Sequence, residues 1–179
     1  SIAEREQAGD DLAADVIAVL ERGELKRVDC SFRTAIADPL LYTERTEAEH
    51  YERIATDPAA NSFYRSAAVR TMRAIRDGTV KDRLPHCICV WHLDDRTRLV
   101  AMEGEVSTQY SLLIKRLFAP HTTLTLGYTN GVYCYVPTRR MIGEGGYEAE
   151  CNFFFNLRGP FVPEIEDIIV GQIVQTDMR

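Results

Sequence analysis

The sequence predicts an α/β fold, a mixed sheet with a strand-helix-strand unit and flanking helices. Apolar residues recur every three to four positions in several segments, which is the spacing of an amphipathic helix. Other short segments alternate or are apolar throughout, as strands are. One helical pattern lies between two strand patterns within residues 98–126. Because a connection that contains a helix joins parallel strands, this segment predicts a parallel pair within the sheet.

Composition limits the classes of protein that the chain fits. Its 179 residues are 45% apolar and 27% charged, which is typical of one globular domain or part of a larger one. The net charge of −6 and the pI near 5.3 disfavour nucleic acid as a partner, which would select a basic patch. No apolar run approaches the roughly 18 residues of a membrane span, so we expect a soluble protein. The chain begins at Ser1 without an initiator methionine or an apolar leader, and we expect a piece of a longer protein.

Cysteine usage favours a reducing compartment. The five cysteines are odd in number and scattered, which does not fit a disulfide framework. With no visible signal peptide, we therefore favour the cytoplasm. Cys87 and Cys89 in HCIC lie two apart, so both face one side of a strand, where a metal could bridge them. The surrounding apolar run CICVW favours buried core cysteines instead, and a free-standing thiol or metal module is an alternative.

The first segments predict a helix and a strand. Residues Ile2–Arg22 show a helical apolar stripe that we expect to pack on one side, and Gly23 predicts the end of the helix. Residues Arg27–Phe32 alternate between apolar and polar, as a half-buried strand does. The Asp38-Pro39 pair then ends the strand segment.

Residues 46–77 predict a helical excursion on the surface, for which a lid is one interpretation. Thr46-x-x-Glu49 resembles a capping box for a helix that continues to about Ala55. A second helix is expected over Asn61–Asp77. It carries several arginines, and a charge run of this kind indicates a face in solvent.

The central segments predict the sheet. The apolar run CICVWHL, which follows Leu84, predicts an interior strand. A turn at 94–97 then returns the chain in a second, antiparallel strand, Arg98–Met102. A helix is expected over Ser107–Leu117 and a strand over Thr122–Leu126, so that the latter strand runs parallel to Arg98–Met102.

The last segments predict two more strands and a closing helix. A short strand is expected over Val132–Val136, and an aromatic-rich strand over Tyr147–Phe155. Residues Pro163–Thr176 have isoleucines at helical spacing and predict a helix with one buried face.

Glu105 is the first candidate site residue. It lies just past the carboxyl end of the strand that ends at Met102, after Gly104, and ligands of open α/β sheets gather at that edge. The alternative is an acidic residue near the start of the helix that begins at Ser107, where the helix dipole favours negative charge.

Three tyrosines are further candidates. If Val132–Val136 is a strand, Tyr133 and Tyr135 project from the same face, although two aromatic rings that only cover the sheet would show the same pattern. Glycines cluster before Tyr147 in GEGGYE and permit a close approach of backbone to a ligand. The four histidines lack short metal-ligand spacing, and no nucleophile elbow, P-loop or dinucleotide fingerprint is present.

The order GE, GYxN, YVPTRR and EGGYE between Val90 and Val170 closely resembles the second half of the catalytic domain in the neutral/alkaline non-lysosomal ceramidase family, especially its bacterial ceramidase-like members. The resemblance implies a zinc-dependent amidase, whose metal-bound water cleaves the N-acyl bond of ceramide. Sphingosine and a fatty acid would be the products, and an N-acyl, ceramide-like small molecule the substrate.

Site residues follow by motif. Glu105 matches the carboxylate ligand of the zinc ion, and Tyr135 matches its tyrosine ligand. Tyr147 in GGYE matches a tyrosine in the substrate pocket, where it would donate a hydrogen bond to the developing oxyanion. Asn130, Tyr133 and Gly146 are the candidates for substrate binding.

The chain also departs from the family pattern. The two histidine ligands come from the amino-terminal half of the family's catalytic domain and have no counterpart here, and EGEV replaces the more usual proline-glycine-glutamate. The immunoglobulin-like domain that follows the catalytic domain in the larger members of the family has no counterpart in these 179 residues either. The resemblance therefore implies half of an active site, with weak zinc binding and no activity until the missing half is joined. The alternative is a noncatalytic assembly or ligand-binding domain of the same fold.

Overall fold

The structure, a computed structural model, describes residues 1–27 and 30–179. The chain divides into two compact units, Ser1–Cys30 and Ser31–Arg179, and each is described by itself. None of the helices in the described part of the chain combines the length and apolar character that a membrane span requires.

The first unit contains one helix, α1 (Ile2–Arg22), as predicted. Ser1 and Glu4 form a reciprocal capping box at its start, and Gly23 ends it in the left-handed region with φ 63°. The prediction that one side packs is wrong for the described residues, because none in α1 is buried. Its apolar stripe, including Leu12 and Leu20, is exposed.

The second unit has an α/β fold, as predicted. Its elements in chain order are β1 (Arg33–Ala37), β2 (Leu40–Tyr42), α2 (Ala48–Thr56), α3 (Ser62–Arg76), β3 (Arg83–Pro85), β4 (Ile88–His92), β5 (Thr97–Met102), β6 (Glu105–Val106), α4 (Thr108–Leu117), β7 (Thr122–Leu126), β8 (Tyr135–Val136), α5 (Arg139–Glu144), α6 (Tyr147–Glu150), a 3-10 helix (Cys151–Phe155) and α7 (Ile165–Asp177).

The main sheet has four strands in the order β1-β4-β5-β7. Strand β4 pairs antiparallel with both β1 and β5, and β5 pairs parallel with β7, so both the predicted hairpin and the predicted parallel pair are confirmed. The prediction of a strand over Arg27–Phe32 is wrong for the residues that the structure describes there, because they form no strand. Val28 and Asp29 lie outside the described residues. The first strand is β1 instead, since it is the stretch Arg33–Ala37 that pairs with β4.

The two faces of this sheet have different surroundings. Residues Ile88, Val90 and Val100 point to one face and are fully buried beneath α4 and α7. On the opposite face, apolar side chains of three strands are exposed. They are Ile36, Trp91, Leu124 and Leu126. Strand β4 therefore lies inside the sheet as predicted, although in the described part of the chain Trp91 on its opposite face is exposed.

Helices α4 and α7 supply the other side of the main core. Tyr110 and Ile114 of α4 are buried, whereas Leu117, three residues after Ile114, is exposed. Three isoleucines of α7 are fully buried, as their spacing predicts. They are Ile165, Ile169 and Ile173.

The helical excursion consists of α2 and α3, which pack on each other and on the 3-10 helix around a second core. This core contains Tyr51, two alanines of α3 and Phe153. The predicted capping box at Thr46 is wrong: the residue before α2 is Glu47, and it makes no side-chain cap. Asn61 caps α3 through its side chain.

Two predicted strands are wrong in whole or in part. Residues 147–155 form α6 and the 3-10 helix, because Phe153 and Phe154 both pack towards the α2-α3 pair, whereas a strand would point them to opposite faces. The segment Val132–Val136 is a strand only in its last two residues, which form β8 and pair parallel with β6.

Candidate functional site

The candidate site lies at the edge of the main sheet where β5 and β7 end. The loop after β5 and the loop after β7 are joined there by backbone hydrogen bonds. Gly104 N donates to Gly131 O over 2.9 Å, and Tyr128 N donates to Gly104 O over 2.8 Å. Gly104 has φ 81°, and a Cβ atom at this position would lie 3.1 Å from Cys134 O. Only glycine therefore allows the two loops to approach this closely.

Glu105 and Tyr135 are neighbours in this arrangement. They are register partners in the parallel pair of β6 and β8, and Glu105 N donates to Cys134 O over 3.0 Å. Their side chains are half-buried and interact with each other. Burial raises the pKa of the Tyr135 phenol, and the Glu105 carboxylate, as a negative charge and hydrogen-bond acceptor, raises it further.

Tyr128 is a third member of the site that sequence reasoning missed. It reaches Glu105 from the loop after β7, where its backbone is left-handed with φ 57°. The Glu105 carboxylate accepts a hydrogen bond from the Tyr128 hydroxyl, and this contact, more than burial, raises the pKa of Tyr128 to about 12. The available signal was the tyrosine within GYxN, which lies two residues before Asn130 in the sequence.

A cavity of about 280 Å³ opens beside the carboxylate. Its lining includes Glu105, Tyr128 and Tyr135, together with Met141 from α5 and Glu148 from α6. The cavity therefore has oxygen donors on one side and the two short helices that follow β8 on the other.

Tyr147, at the start of α6, contacts a residue that lines this cavity and itself lines a larger one. Its ring centroid lies 5.6 Å from that of Tyr135 in an edge-to-face contact. Tyr147 also lines a cavity of about 540 Å³, whose other walls include His50, Tyr64 and Phe153. Burial is the main cause that raises the pKa of the Tyr147 phenol above its ordinary value of 10.0. The hydroxyl is protonated at neutral pH with or without this shift, and it can therefore donate a hydrogen bond.

The structure does not bring all predicted substrate-binding residues to one place. Tyr133 precedes β8 and lines a separate cavity of about 170 Å³, so the prediction that it shares a strand face with Tyr135 is wrong. Asn130 directs its amide at two cysteine sulfurs. Gly146 lines the larger cavity beside Tyr147.

The histidines are not assembled around the carboxylate. His86 is buried, and burial lowers its pKa to about 4. His92 pairs with Asp177, and His121 contacts Arg98. Among residues 1–27 and 30–179, no group of three or more histidine, cysteine, aspartate or glutamate side chains has the geometry to hold a metal ion.

Comparisons with protein-family models, with curated proteins and with solved structures gave no significant match to this chain.

Proposed function

We propose that this chain carries the second half of a ceramidase-like, zinc-dependent amide hydrolase site, with Glu105 and Tyr135 as two of the metal ligands. The supporting observation is the pairing of β6 with β8, which puts the Glu105 carboxylate next to the Tyr135 phenol. The carboxylate oxygen of Glu105 and the phenol oxygen of Tyr135 therefore project from neighbouring strands. This arrangement suits a zinc ion, which accepts carboxylate ligands in catalytic sites. The resemblance in GE, GYxN, YVPTRR and EGGYE points to the same residues.

The donor set fits zinc as half of a site. A catalytic zinc ion takes three or four protein ligands. The described residues supply a carboxylate and a phenol, but they contain no group of three or more histidine, cysteine or acidic side chains that could hold a metal ion. The missing ligands would come from an amino-terminal half, where the family has two histidines. When bound, zinc would supply a Lewis acid and a water of lowered pKa.

Tyr128 acts in this proposal as a positioning residue. Its hydroxyl donates to the Glu105 carboxylate and fixes the orientation of that group. A hydrogen-bond donor behind a ligating carboxylate holds it in place for the metal and is a common feature of metal sites.

Tyr147 is the proposed catalytic residue. Its hydroxyl is protonated at neutral pH, since the ordinary pKa of 10.0 lies well above neutrality and burial raises it further, and its ring contacts that of Tyr135. It can therefore donate a hydrogen bond to the oxygen of an amide carbonyl held beside Tyr135, and this bond strengthens as negative charge develops there. Because Tyr147 also lines the larger, aromatic-walled cavity, an apolar part of an N-acyl substrate would lie there, next to Gly146.

The test uses the longer protein, with its amino-terminal half, and measures bound zinc and N-acyl bond hydrolysis in each variant. We expect Glu105→Gln and Tyr135→Phe to lower zinc affinity and activity by at least about 100-fold. Tyr147→Phe should retain zinc but reduce kcat by about 100-fold or more, since it removes an oxyanion donor. Tyr42→Phe, which removes the hydroxyl of an exposed tyrosine in β2, is the matched control and should change neither.

A noncatalytic assembly or ligand-binding domain is the second candidate. It is favoured by the finding that the described residues contain no group of three or more histidine, cysteine or acidic side chains that could hold a metal ion. It predicts that the upstream sequence contains no pair of histidines in the family's motifs. Retention of zinc in both ligand variants would equally overturn the hydrolase proposal.

A further inference from the structure

A pair of cysteines lies at the same edge of the sheet as the candidate site but outside its cavity. The Sγ atoms of Cys87 and Cys89 are 3.9 Å apart, and both residues are half-buried. The Asn130 amide nitrogen lies 3.1 Å from one sulfur and 3.5 Å from the other. One carboxamide is therefore aimed at two sulfur atoms at once, in an arrangement that the proposed amide hydrolase does not use.

The backbone holds this pair firmly. Cys87 N donates to the Glu103 carboxylate over 3.1 Å, and Glu103 N donates to Cys87 O over 3.0 Å. Glu103 is itself buried. Cys89 belongs to β4, where it is held between β1 and β5. The backbone positions of the two cysteines are thus fixed by the sheet and by a buried carboxylate.

This spacing suits a metal ion better than a disulfide. Two bonds of about 2.3 Å from a zinc ion, at a tetrahedral angle, place their sulfurs about 3.8 Å apart. A disulfide needs Cβ atoms about 3.8 Å apart and sulfurs about 2.05 Å apart. Residues two apart on a strand are separated by about 6.6 Å along it, so oxidation would have to distort β4.

We propose that Cys87 and Cys89 form a binding site for a thiophilic divalent d10 cation, zinc or cadmium, with the Asn130 side chain as a third partner. On binding, each thiol loses its proton to solvent and forms one sulfur-metal bond, with no electron transfer. The Asn130 carboxamide turns by 180° about its terminal bond, so that Oδ1 replaces the amide nitrogen beside the sulfurs. Water completes the four ligands of a tetrahedral ion.

The thiols compete with the metal for protons. Burial is the main cause that raises the pKa of Cys87 to about 11, and the neighbouring Cys89 sulfur contributes, while the Asn130 hydrogen bond opposes the shift. Asp38 is the other charged group that acts on this thiol. Because the metal must displace the thiol protons, its affinity rises with pH.

The test titrates the reduced chain with cadmium and follows the ultraviolet thiolate-to-cadmium charge-transfer band. A single equivalent should saturate the band, and the apparent affinity should rise as pH is raised. Cys87→Ser and Cys89→Ser should each lower the affinity at least about tenfold, as should Asn130→Ala. Cys30→Ser, at an exposed cysteine of the other unit, is the matched control and should leave the band unchanged.

Two results would overturn the proposal: no band at all, or a band that survives in both serine variants. Glu105→Gln should keep the cadmium band even if it abolishes zinc in the longer hydrolase, which separates this site from the proposed function. A second measurement needs no substitution: cadmium should protect Cys87 and Cys89, but not Cys30, from alkylation, as read by mass spectrometry. Equal alkylation of all three residues with and without cadmium would contradict the site.

Discussion

At the scale of the residue, the Glu105 carboxylate is shared between two phenols that reach it from different segments. Tyr128 comes from the loop after β7 and Tyr135 from β8. The Glu105 carboxylate raises the pKa of both phenols, because an ionised tyrosine would place a second negative charge beside it. A cation bound at Glu105 would reverse this effect, because it would stabilise a phenolate.

The first prediction concerns the pKa of Tyr128. Glu105→Gln removes the negative acceptor that is the main cause of the raised value, so we expect the pKa of Tyr128 to fall from about 12 towards its usual value of about 10. The measurement is a pH titration of ring-labelled tyrosines by NMR. Glu144→Gln, at an exposed carboxylate of α5, is the control. An unchanged Tyr128 titration in Glu105→Gln would contradict the contact.

A second residue-scale prediction concerns Gly131, in the loop that carries Asn130. A Cβ atom here would lie 2.5 Å from Oε1 of Glu103 and 3.1 Å from the Tyr133 ring. Glu103 is buried and held by Cys87 N, so it cannot easily move aside. We expect Gly131→Ala to lower the free energy of unfolding by about 1 to 3 kcal/mol.

Gly143→Ala is the matched control for this substitution. Gly143 lies in α5 with no atom within 4 Å of an added Cβ, so alanine there should be neutral or stabilising by up to about 1 kcal/mol. Chemical denaturation measures both variants. Equal effects of the two substitutions would show that the space beside Glu103 is not restricted.

At the scale of the element, a mostly buried ion pair links the end of α7 to strands β4 and β5 of the main sheet. Asp177, the last residue of α7, contacts His92 Nε2 at 3.0 Å and Arg98 at 3.3 Å. The Arg98 guanidinium is otherwise enclosed, with His121 Nδ1 at 3.1 Å and the Phe118 ring 4.1 Å beneath it. The Asp177 carboxylate at the end of α7 therefore compensates the positive charge of Arg98, which is buried in the folded protein.

The element-scale prediction is that Asp177→Asn destabilises the protein by about 3 kcal/mol, since it leaves the charge of Arg98 buried without its partner. Asp167→Asn, in the same helix, is the control. Asp167 pairs with Arg139 at the surface, where such a pair contributes at most about 1 kcal/mol. The free energies of unfolding of the two variants, measured by denaturant titration, should therefore differ clearly. Similar losses would contradict the assigned role of Asp177.

At the scale of the whole molecule, stability depends on a histidine that folding holds neutral. His86 is buried, and among the described residues its Nε2 atom has no hydrogen-bond partner. Burial lowers its pKa from 6.5 to about 4, and the negative charge of Asp38 opposes only part of that change. The unfolded chain therefore binds a proton between these two pH values more readily than the folded protein does.

The prediction that follows is a pH-dependent free energy of unfolding. The contribution of neutral His86 is complete above pH 6.5 and is lost as pH falls towards 4, by about 3 kcal/mol in total. The difference in the free energy of unfolding between His86→Leu and the unsubstituted protein should therefore change by about 3 kcal/mol between pH 6.5 and pH 4. Chemical denaturation at several pH values measures it. The exposed His50→Leu is the control, and parallel curves for His86→Leu and the unsubstituted protein would contradict the prediction.

The amino-acid sequence by itself determined the helices and strands that a local pattern of apolar residues specifies. The helices α1, α3, α4 and α7 and the parallel pair of β5 and β7 were all predicted, because helical apolar spacing and a strand-helix-strand order are local properties. We predicted from a resemblance in sequence that Glu105 and Tyr135 lie close together, and the structure brings these two residues side by side.

Only the tertiary structure decided the remaining features. The aromatic segment after Tyr147 has the composition of a strand, but it becomes helical because α2 and α3 offer it an apolar surface on one side only. Tyr133 and Tyr135 separate because β8 begins after Tyr133, where pairing with β6 starts. Tyr128 meets Glu105, and Asn130 meets two sulfurs, through contacts between segments far apart in the sequence. Such contacts depend on how the loops are joined at the sheet edge, which no local pattern encodes.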